Sequence, residues 1–168
     1  YEISACLVGS GDVYKRQPLV DTVREQLGLA YTAYAAMESG DVWANFIVHA
    51  VTTPDKLEAL LTATRRLLQA QAAGIDPVHL ERAKNQLTVS RVRSGERTYA
   101  TMEQAVEELF ANGTVTPIAE TLAMIDDIGA EEVRMVFERM LAHPPALAIT
   151  GKGVSAKAAR QLAGCLQA

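Results

Sequence analysis

The stretch "REQLGLAYTAYAAMESGDVWANFIVHAV" (24–51) contains a helix end, a turn and two strand-like segments. A charged run stops at Gly28, and a glycine at this position commonly ends a helix because it accepts a left-handed conformation. "LAYTAYAAM" (29–37) and "VWANFIVHAV" (42–51) are rich in β-forming residues, and "ESGD" (38–41) between them is a turn signal. The stretch therefore predicts a helix that leads directly into an antiparallel β-hairpin.

The second predicted strand carries apolar side chains on both faces. Phe46 and Val48 lie on one face of the predicted strand, and Trp43 and Ile47 lie on the other. A strand with one solvated face alternates apolar and polar residues, so we expect this strand to be central or covered on both sides.

The residues before the hairpin predict a short strand and a helix. Residues 2–9 have enough apolar and β-branched content for a strand, and residues 10–17 form a polar, turn-like segment. Pro18 suits the first position of a helix, which helical spacing of apolar residues continues to Leu27.

Most of the chain after the hairpin has helical periodicity. The predicted elements are a helix within 52–74 that Thr53 caps, Pro54 opens and Gly74 ends, a helix that Asp76 caps and Pro77 opens, a break at 93–98, a helix through 99–110 that ends near Asn112–Gly113, a helix after Pro117 with Ile118, Leu122 and Ile125, a helix over 130–141, a strand over 145–150 and a helix over 157–166. This order predicts an α+β fold, with a largely antiparallel sheet and helices packed on one face.

Composition excludes several classes of protein. The chain has 168 residues, a net charge of -4 and no long basic run, so we expect no nucleic-acid partner. Its apolar runs are too short for a membrane span, and we expect no membrane partner. Cys6 and Cys165 are interpreted as two reduced or buried thiols, since a bridge between them would need the ends of the chain to meet in the fold. The compartment, cytoplasm or periplasm, stays open.

The residues offer no self-contained catalytic or metal motif. His49, His79 and His143 lack the spacing that places two ligands on one helix face. "TGKGVS" (150–155) follows a predicted strand but lacks the full spacing of a phosphate-binding loop, so we interpret it as a turn.

Two groups of polar side chains remain as candidates for function. Glu103, Glu107 and Glu108 predict a solvated acidic helix face. Arg24 and Tyr31 flank the break at the helix end and have two interpretations. They form a shared functional site, or the arginine favours the negative end of the helix dipole while the tyrosine packs its ring in the strand.

Four motifs in order resemble one peptidase family, the M16 zinc peptidases (insulinase, pitrilysin and mitochondrial processing peptidase). The resemblance is to their C-terminal, non-catalytic domain type and covers about residues 18–153. The motifs are "LVDTVREQLGLAY" (19–31), "TTPDKLEAL" (52–60), "HLERAKNQL" (79–87) and "IDDIGAEEVRMVFERML" (125–141).

The resemblance implies a role for the chain. The catalytic half of such peptidases carries an inverted zinc motif, H-x-x-E-H, which this sequence lacks. The resemblance therefore implies no catalytic and no metal-binding residue here, zinc in a partner domain, and a substrate-enclosing half that orients an unfolded peptide. By the resemblance, Arg24 and Tyr31 match the family positions that reach the substrate backbone, which implies a substrate-binding role for both. The partners that the resemblance implies are a catalytic M16 domain or subunit and a peptide substrate.

The first residues depart from the family pattern. "LVGSGDVYKRQPLV" (7–20) stands where the family has a glycine-rich and serine-containing element, so residues 1–17 fit least. We expect a single domain over 1–168 that begins later than the family domain. Two alternatives remain: a catalytically inert M16 homologue with a structural or assembly role, and an unrelated α+β binding module.

Overall fold

A two-stranded antiparallel sheet precedes a series of helices in the part of the chain that the structure describes. The structure is a computed structural model and describes residues 21–40, 43–152 and 154–167. Its elements are helix α1 (Asp21–Gln26), strands β1 (Thr32–Gly40) and β2 (Trp43–Val51), and helices α2 (Leu57–Ala73), α3 (Pro77–Gly95), α4 (Thr98–Asn112), α5 (Ile118–Asp127), α6 (Ala130–Leu141) and α7 (Ala156–Gln167). The predicted α+β class is confirmed.

The predicted hairpin forms with a slightly shifted turn. Its register runs from the pair Thr32 and Val51 to the pair Gly40 and Trp43. β1 therefore continues through residues 38–40, which the sequence assigned to the turn, and the connection at 41–42 lies outside the described residues.

The inner face of the hairpin packs against helices. Ala33 and Ala35 of β1 are buried in the main core, which Phe46 of β2 also contacts. The Phe46 ring meets the Phe137 ring of α6 edge to face, with centroids 6.5 Å apart. Helices on this one face match the prediction, and α2 packs against α6 and α7.

The outer face of the hairpin is more open than predicted. Trp43 and Val51 are each about half exposed, and His49 is exposed. The expectation that β2 is covered on both faces is therefore wrong for the described residues. Apolar content alone misled here, because half-exposed aromatic and β-branched side chains are common on open sheet faces.

The helix boundaries follow the predicted caps with one exception. Asp76 caps α3, since its Oδ1 accepts a hydrogen bond from the Val78 N–H at 2.8 Å, and α2 ends before Gly74. Thr53 occupies the cap position of a single 3-10 turn, Pro54–Lys56, that precedes α2. Its side chain makes no capping hydrogen bond there, so that part of the prediction is wrong.

The break between α3 and α4 and the end of α4 are confirmed. α3 ends at Gly95, α4 begins at Thr98, and Gly113 ends α4 in the left-handed conformation at φ +72°. In α5, Ile125 is buried as predicted, whereas Ile118 is half exposed.

The solvated acidic face predicted on α4 is wrong for one of its three residues. Glu103 and Glu107 are exposed, but the Glu108 carboxylate turns inward. It accepts hydrogen bonds there from the Gln104 amide at 2.7 Å and from the Thr116 N–H at 2.8 Å.

The predicted strand over 145–150 is wrong for the described part of the chain. Residues 144–150 are assigned neither helix nor strand there, and the described sheet consists of β1 and β2. A strand needs a hydrogen-bonded neighbour, which local composition cannot supply. The predicted strand at 2–9, the turn at 10–17 and the helix start at Pro18 lie outside the described residues. None of the described helices combines the length and apolarity needed to cross a bilayer.

Candidate functional site

The junction between α1 and β1 is built by a wide helical turn that ends at a glycine. The Leu27 N–H donates to the Thr22 carbonyl at 3.0 Å, which is the five-residue spacing of a π-helix. The sequence predicted an ordinary helix here, and the wider turn is a correction. Gly28 then adopts φ +58°, so the chain reverses and enters β1.

The backbone of this junction is held by groups from other segments. The Leu29 N–H donates to the Val23 carbonyl at 2.7 Å, and Val23 itself is fully buried. The Tyr31 N–H donates to the carbonyl of Val51 at 2.8 Å, which joins the junction to the end of β2. The junction is therefore anchored to the core on one side and to the sheet on the other.

Two side chains that sequence reasoning did not single out complete the support. The Lys56 ammonium donates to the Gly28 carbonyl at 2.9 Å, and the Thr52 hydroxyl donates to the Leu29 carbonyl. Both residues belong to "TTPDKLEAL" (52–60), the second motif of the resemblance. That motif was the available signal, because its Thr hydroxyl and Lys ammonium are donors that can bind backbone carbonyls.

Arg24 and Tyr31 both lie on the surface at this junction. The Arg24 side chain is 48% exposed, and Tyr31 is 70% exposed. The guanidinium Nε lies 3.4 Å from the Glu25 carboxylate, which is itself largely exposed. Exposed pairs of this kind contribute about 0–1 kcal/mol, so the guanidinium can exchange this contact for a ligand at little cost.

The chemistry of the junction suits a polar, electron-rich ligand. Arg24 supplies a planar fork of N–H donors and Tyr31 a single phenolic donor on a rigid ring. Lys56 adds a second positive charge beside Gly28. Donors that a fixed backbone holds before the ligand arrives can stabilise a carbonyl oxygen as it gains negative charge.

We expect Gly28→Ala to lower the free energy of unfolding by about 1–2 kcal/mol. The cause is the left-handed backbone at φ +58°, which costs a residue with a Cβ about this much. A clash with neighbouring atoms is not the cause, because an added Cβ at Gly28 would meet no heavy atom within 4 Å. Gly74→Ala is the matched control, because Gly74 is equally open but has extended backbone at φ 174°. Urea denaturation of both variants checks the prediction, and equal stability of the two would contradict it.

The described residues do not fit a zinc ion. They contain no group of three or more His, Cys, Asp or Glu side chains that would hold a metal. His49 stacks on Tyr34 with ring centroids 4.9 Å apart, and His79 Nδ1 lies 3.9 Å from Asp76 Oδ2.

Sequence comparisons connect the chain to one family. The family model described as "Peptidase M16 inactive domain" matches residues 4–87, which is half of the chain. The mitochondrial-processing peptidase subunit alpha of Bos taurus is 29% identical over 104 residues, which cover 62% of this chain and 20% of that protein. An uncharacterized zinc protease of Rickettsia felis is 26% identical over 115 residues, which cover 68% of this chain and 28% of that protein.

Solved structures show the same fold at low sequence identity. The peptidase M16 inactive domain from Pseudomonas fluorescens matches with a TM-score of 0.66 and 18% identity, over 82% of this chain and 32% of that one. A predicted insulinase family protease from Yersinia pestis gives 0.64 and 16%, over 89% and 36%. A chain of complex III2 from Candida albicans, bound to Inz-5, gives 0.69 and 14%, over 82% and 34%.

The chain spans only about a fifth to a little over a quarter of the length of the curated relatives it matches. The family assignment rests on the family model, whose match includes α1, both strands and the junction that carries Arg24 and Tyr31. With half of its residues matched to that model, the chain belongs to the peptidase M16 inactive domain family.

Proposed function

We propose that the chain is the substrate-enclosing, non-zinc-binding half of an M16-type zinc metallopeptidase. In this role it orients an unfolded peptide for cleavage by a partner half. The observation that carries the proposal is the junction itself: it lies inside the segment matched by the inactive-domain model, and it holds Arg24 and Tyr31 exposed on a fixed backbone. We further propose that residues 1–168 form one domain.

Arg24 and Tyr31 are the substrate-binding residues of this proposal. Their donors bind a peptide carbonyl near the scissile bond and stabilise the charge that develops on its oxygen. Lys56 and Thr52 act through the backbone, since they hold the carbonyls of Gly28 and Leu29 and so fix the direction in which β1 begins. When bound in the partner half, zinc supplies an activated water, which is the usual role of a catalytic zinc.

The relatives support a peptidase setting for the domain. One is named as a zinc protease and another as a subunit of a processing peptidase. The name of the Bos taurus protein, a subunit alpha, also fits an arrangement in which the peptidase is assembled from separate subunits. A catalytic M16 domain or subunit is therefore the partner that we propose, either in the same polypeptide or as a separate chain.

The alternative is a catalytically inert homologue with a structural or assembly role. The two functions differ in their genomic setting. An H-x-x-E-H motif in the same reading frame or in a neighbouring gene supports the peptidase, and its absence from both supports the inert homologue.

We expect the chain alone to hydrolyse no peptide and to bind no stoichiometric zinc. The reason is the lack of a metal-holding group among its described residues and of an H-x-x-E-H motif in its sequence. Cleavage of an unfolded peptide by the purified chain, and its zinc content by elemental analysis, check both statements.

The matched experiment adds the H-x-x-E-H half from the same genome. Cleavage that appears only in the mixture and stops with a chelator is the expected result. Chelator-sensitive cleavage by this chain alone would overturn the assignment of zinc to the partner. A well-formed complex with no activity on unfolded peptides would favour the inert homologue.

A further inference from the structure

The outer face of the hairpin carries a stacked pair of rings near the junction. Side chains alternate between the two faces of a strand, so the neighbours of buried Ala33 and Ala35 in β1 point outward. Tyr34 of β1 and His49 of β2 are paired on this outward side. Their rings stack with centroids 4.9 Å apart and planes inclined by 24°. Tyr34 is half-buried and His49 is exposed, so the histidine is the ring that a bound molecule can reach.

The outer face is continuous with the candidate site. Its first pair is Thr32 and Val51, and the Val51 carbonyl accepts the hydrogen bond from the Tyr31 N–H at 2.8 Å. The pair of Tyr34 and His49 is the next one along the same face. From Tyr31 to Tyr34 the chain advances by about 10 Å, as three residues of a strand do. An extended peptide advances by the same amount, so three residues of substrate span the distance from the junction to the rings.

The side chains around the rings carry no carboxylate, ammonium or guanidinium group. The outward pairs nearest the junction are Thr32 with Val51, Tyr34 with His49, and Ala36 with Ile47. The first carboxylate on this face is that of Glu38, one pair further from the junction. The surface near the rings therefore suits an apolar or aromatic side chain better than a charged one.

An aromatic side chain gains most from this arrangement. A third ring that joins a stacked pair adds an offset-stacked or edge-to-face contact to the area that it buries. The Tyr34 ring holds the His49 ring in place. His49 therefore loses less rotamer freedom when a peptide binds than an unsupported side chain would.

We propose that His49 selects an aromatic side chain of the substrate about three residues from the bond that is cleaved. The inference rests on the proposed function, since the junction must hold the peptide for its side chain to reach this ring. Arg24 and Tyr31 bind a backbone carbonyl, which every substrate has, whereas His49 contacts a side chain, which differs between substrates. Extended peptides are commonly recognised by this division of contacts. Tyr34 supports the His49 ring and is not itself a contact of the peptide.

The simpler role of the ring pair is stabilisation of the hairpin. Cross-strand pairs that contain aromatic side chains stabilise sheets by themselves. Disrupting a purely structural pair would change the stability of the domain but not the order in which peptides are preferred. Substrate preference is therefore the readout that separates the two roles.

The peptide selectivity of the assembled peptidase tests the inference. The assembly is the full-length protein, or this chain together with the H-x-x-E-H half from the same genome. Its substrates are copies of one unfolded peptide that carry Phe, Leu or Ala at a single position, two to four residues from the cleaved bond on either side. At one of these positions, kcat/KM for the Phe copy should exceed that for the Ala copy about three- to tenfold, with the Leu copy between them.

Three variants identify the ring that is responsible. His49→Ala should bring the Phe-to-Ala ratio close to one, while His49→Phe keeps a ring at this position and should retain the ratio. Trp43→Ala is the matched control, because Trp43 is a half-exposed ring on the same face at the other end of β2. It lies about 26 Å along the strand from Val51, beyond the reach of the varied positions, so its ratio should equal that of the unaltered assembly. Both positions are exposed, and circular dichroism should show an unaltered fold.

The outcomes separate this inference from the proposed function. A ratio near one for the unaltered assembly at every varied position, or a ratio that survives His49→Ala, would overturn the inference while cleavage itself still supports the peptidase. If the assembly hydrolyses none of the peptides, fluorescence anisotropy of labelled copies gives their dissociation constants. Tighter binding of the Phe copy that is lost in His49→Ala would then support the role of His49 and contradict the peptidase function. Equal binding of the Phe and Ala copies would overturn the inference.

Discussion

Tyr31→Phe should lower the kcat of the assembled peptidase by about 100- to 1,000-fold while KM changes little. The loss of one donor to a developing oxyanion has this magnitude in other enzymes, because the donor acts mainly in the transition state. The substitution removes only the hydroxyl of a side chain that is 70% exposed, so the fold should be unaffected. Steady-state kinetics on an unfolded peptide, with equal amounts of assembled complex, give the measurement.

Arg24→Lys should also be harmful, because lysine keeps the charge but loses the planar fork of donors. Tyr34→Phe is the matched control: Tyr34 is a tyrosine of β1 whose ring stacks on His49, and phenylalanine keeps that ring. Unchanged kcat in both Tyr31→Phe and Arg24→Lys would return the pair to the simpler interpretation, a helix end and a strand residue. Equal losses in Tyr31→Phe and Tyr34→Phe would indicate a general effect on the hairpin.

Phe137→Ala should lower the free energy of unfolding by about 3–5 kcal/mol. Phe137 is 4% exposed, lies in the main core and meets the Phe46 ring of β2 edge to face. Truncation removes the buried ring and leaves a cavity at the contact between α6 and the sheet, and both effects are destabilising. Urea denaturation, followed by the fluorescence of Trp43 or by circular dichroism, measures the change.

The control for this prediction lies on the same helix. Met135 of α6 is 45% exposed, so Met135→Ala should change stability by less than about 0.5 kcal/mol. A loss below about 1 kcal/mol in Phe137→Ala would mean that the α6 contact with the hairpin contributes little to stability.

Local signals in the sequence predicted most of the helical part of the fold. The capping by Asp76, the glycine end of α4 at Gly113 and the break after Gly95 all appear where the residues indicated. These features depend on one residue and its immediate neighbours, so the sequence contains the information directly. The hairpin was predictable for the same reason, since its strands are adjacent in the chain.

Predictions that needed distant partners were less successful. Residues 145–150 have strand-like composition but no strand assignment in the described structure, and the outer face of β2 is open at Trp43 and Val51. Pairing and coverage depend on which segments the fold brings alongside, and one segment's composition does not contain that information. The support that Lys56 gives to Gly28 across 28 positions of the chain belongs to the same group.

The sequence by itself determined the cap of α3 at Asp76, the glycine ends of α2 and α4, and that a glycine turn separates Arg24 from Tyr31. Only the tertiary structure decided which way these parts face. It leaves both side chains of the junction in solvent, and it turns the polar side of α4, with Glu108, toward the domain. The physical reason is that periodicity specifies one face of a helix relative to the other. Which face the domain covers depends on packing between segments far apart in the chain.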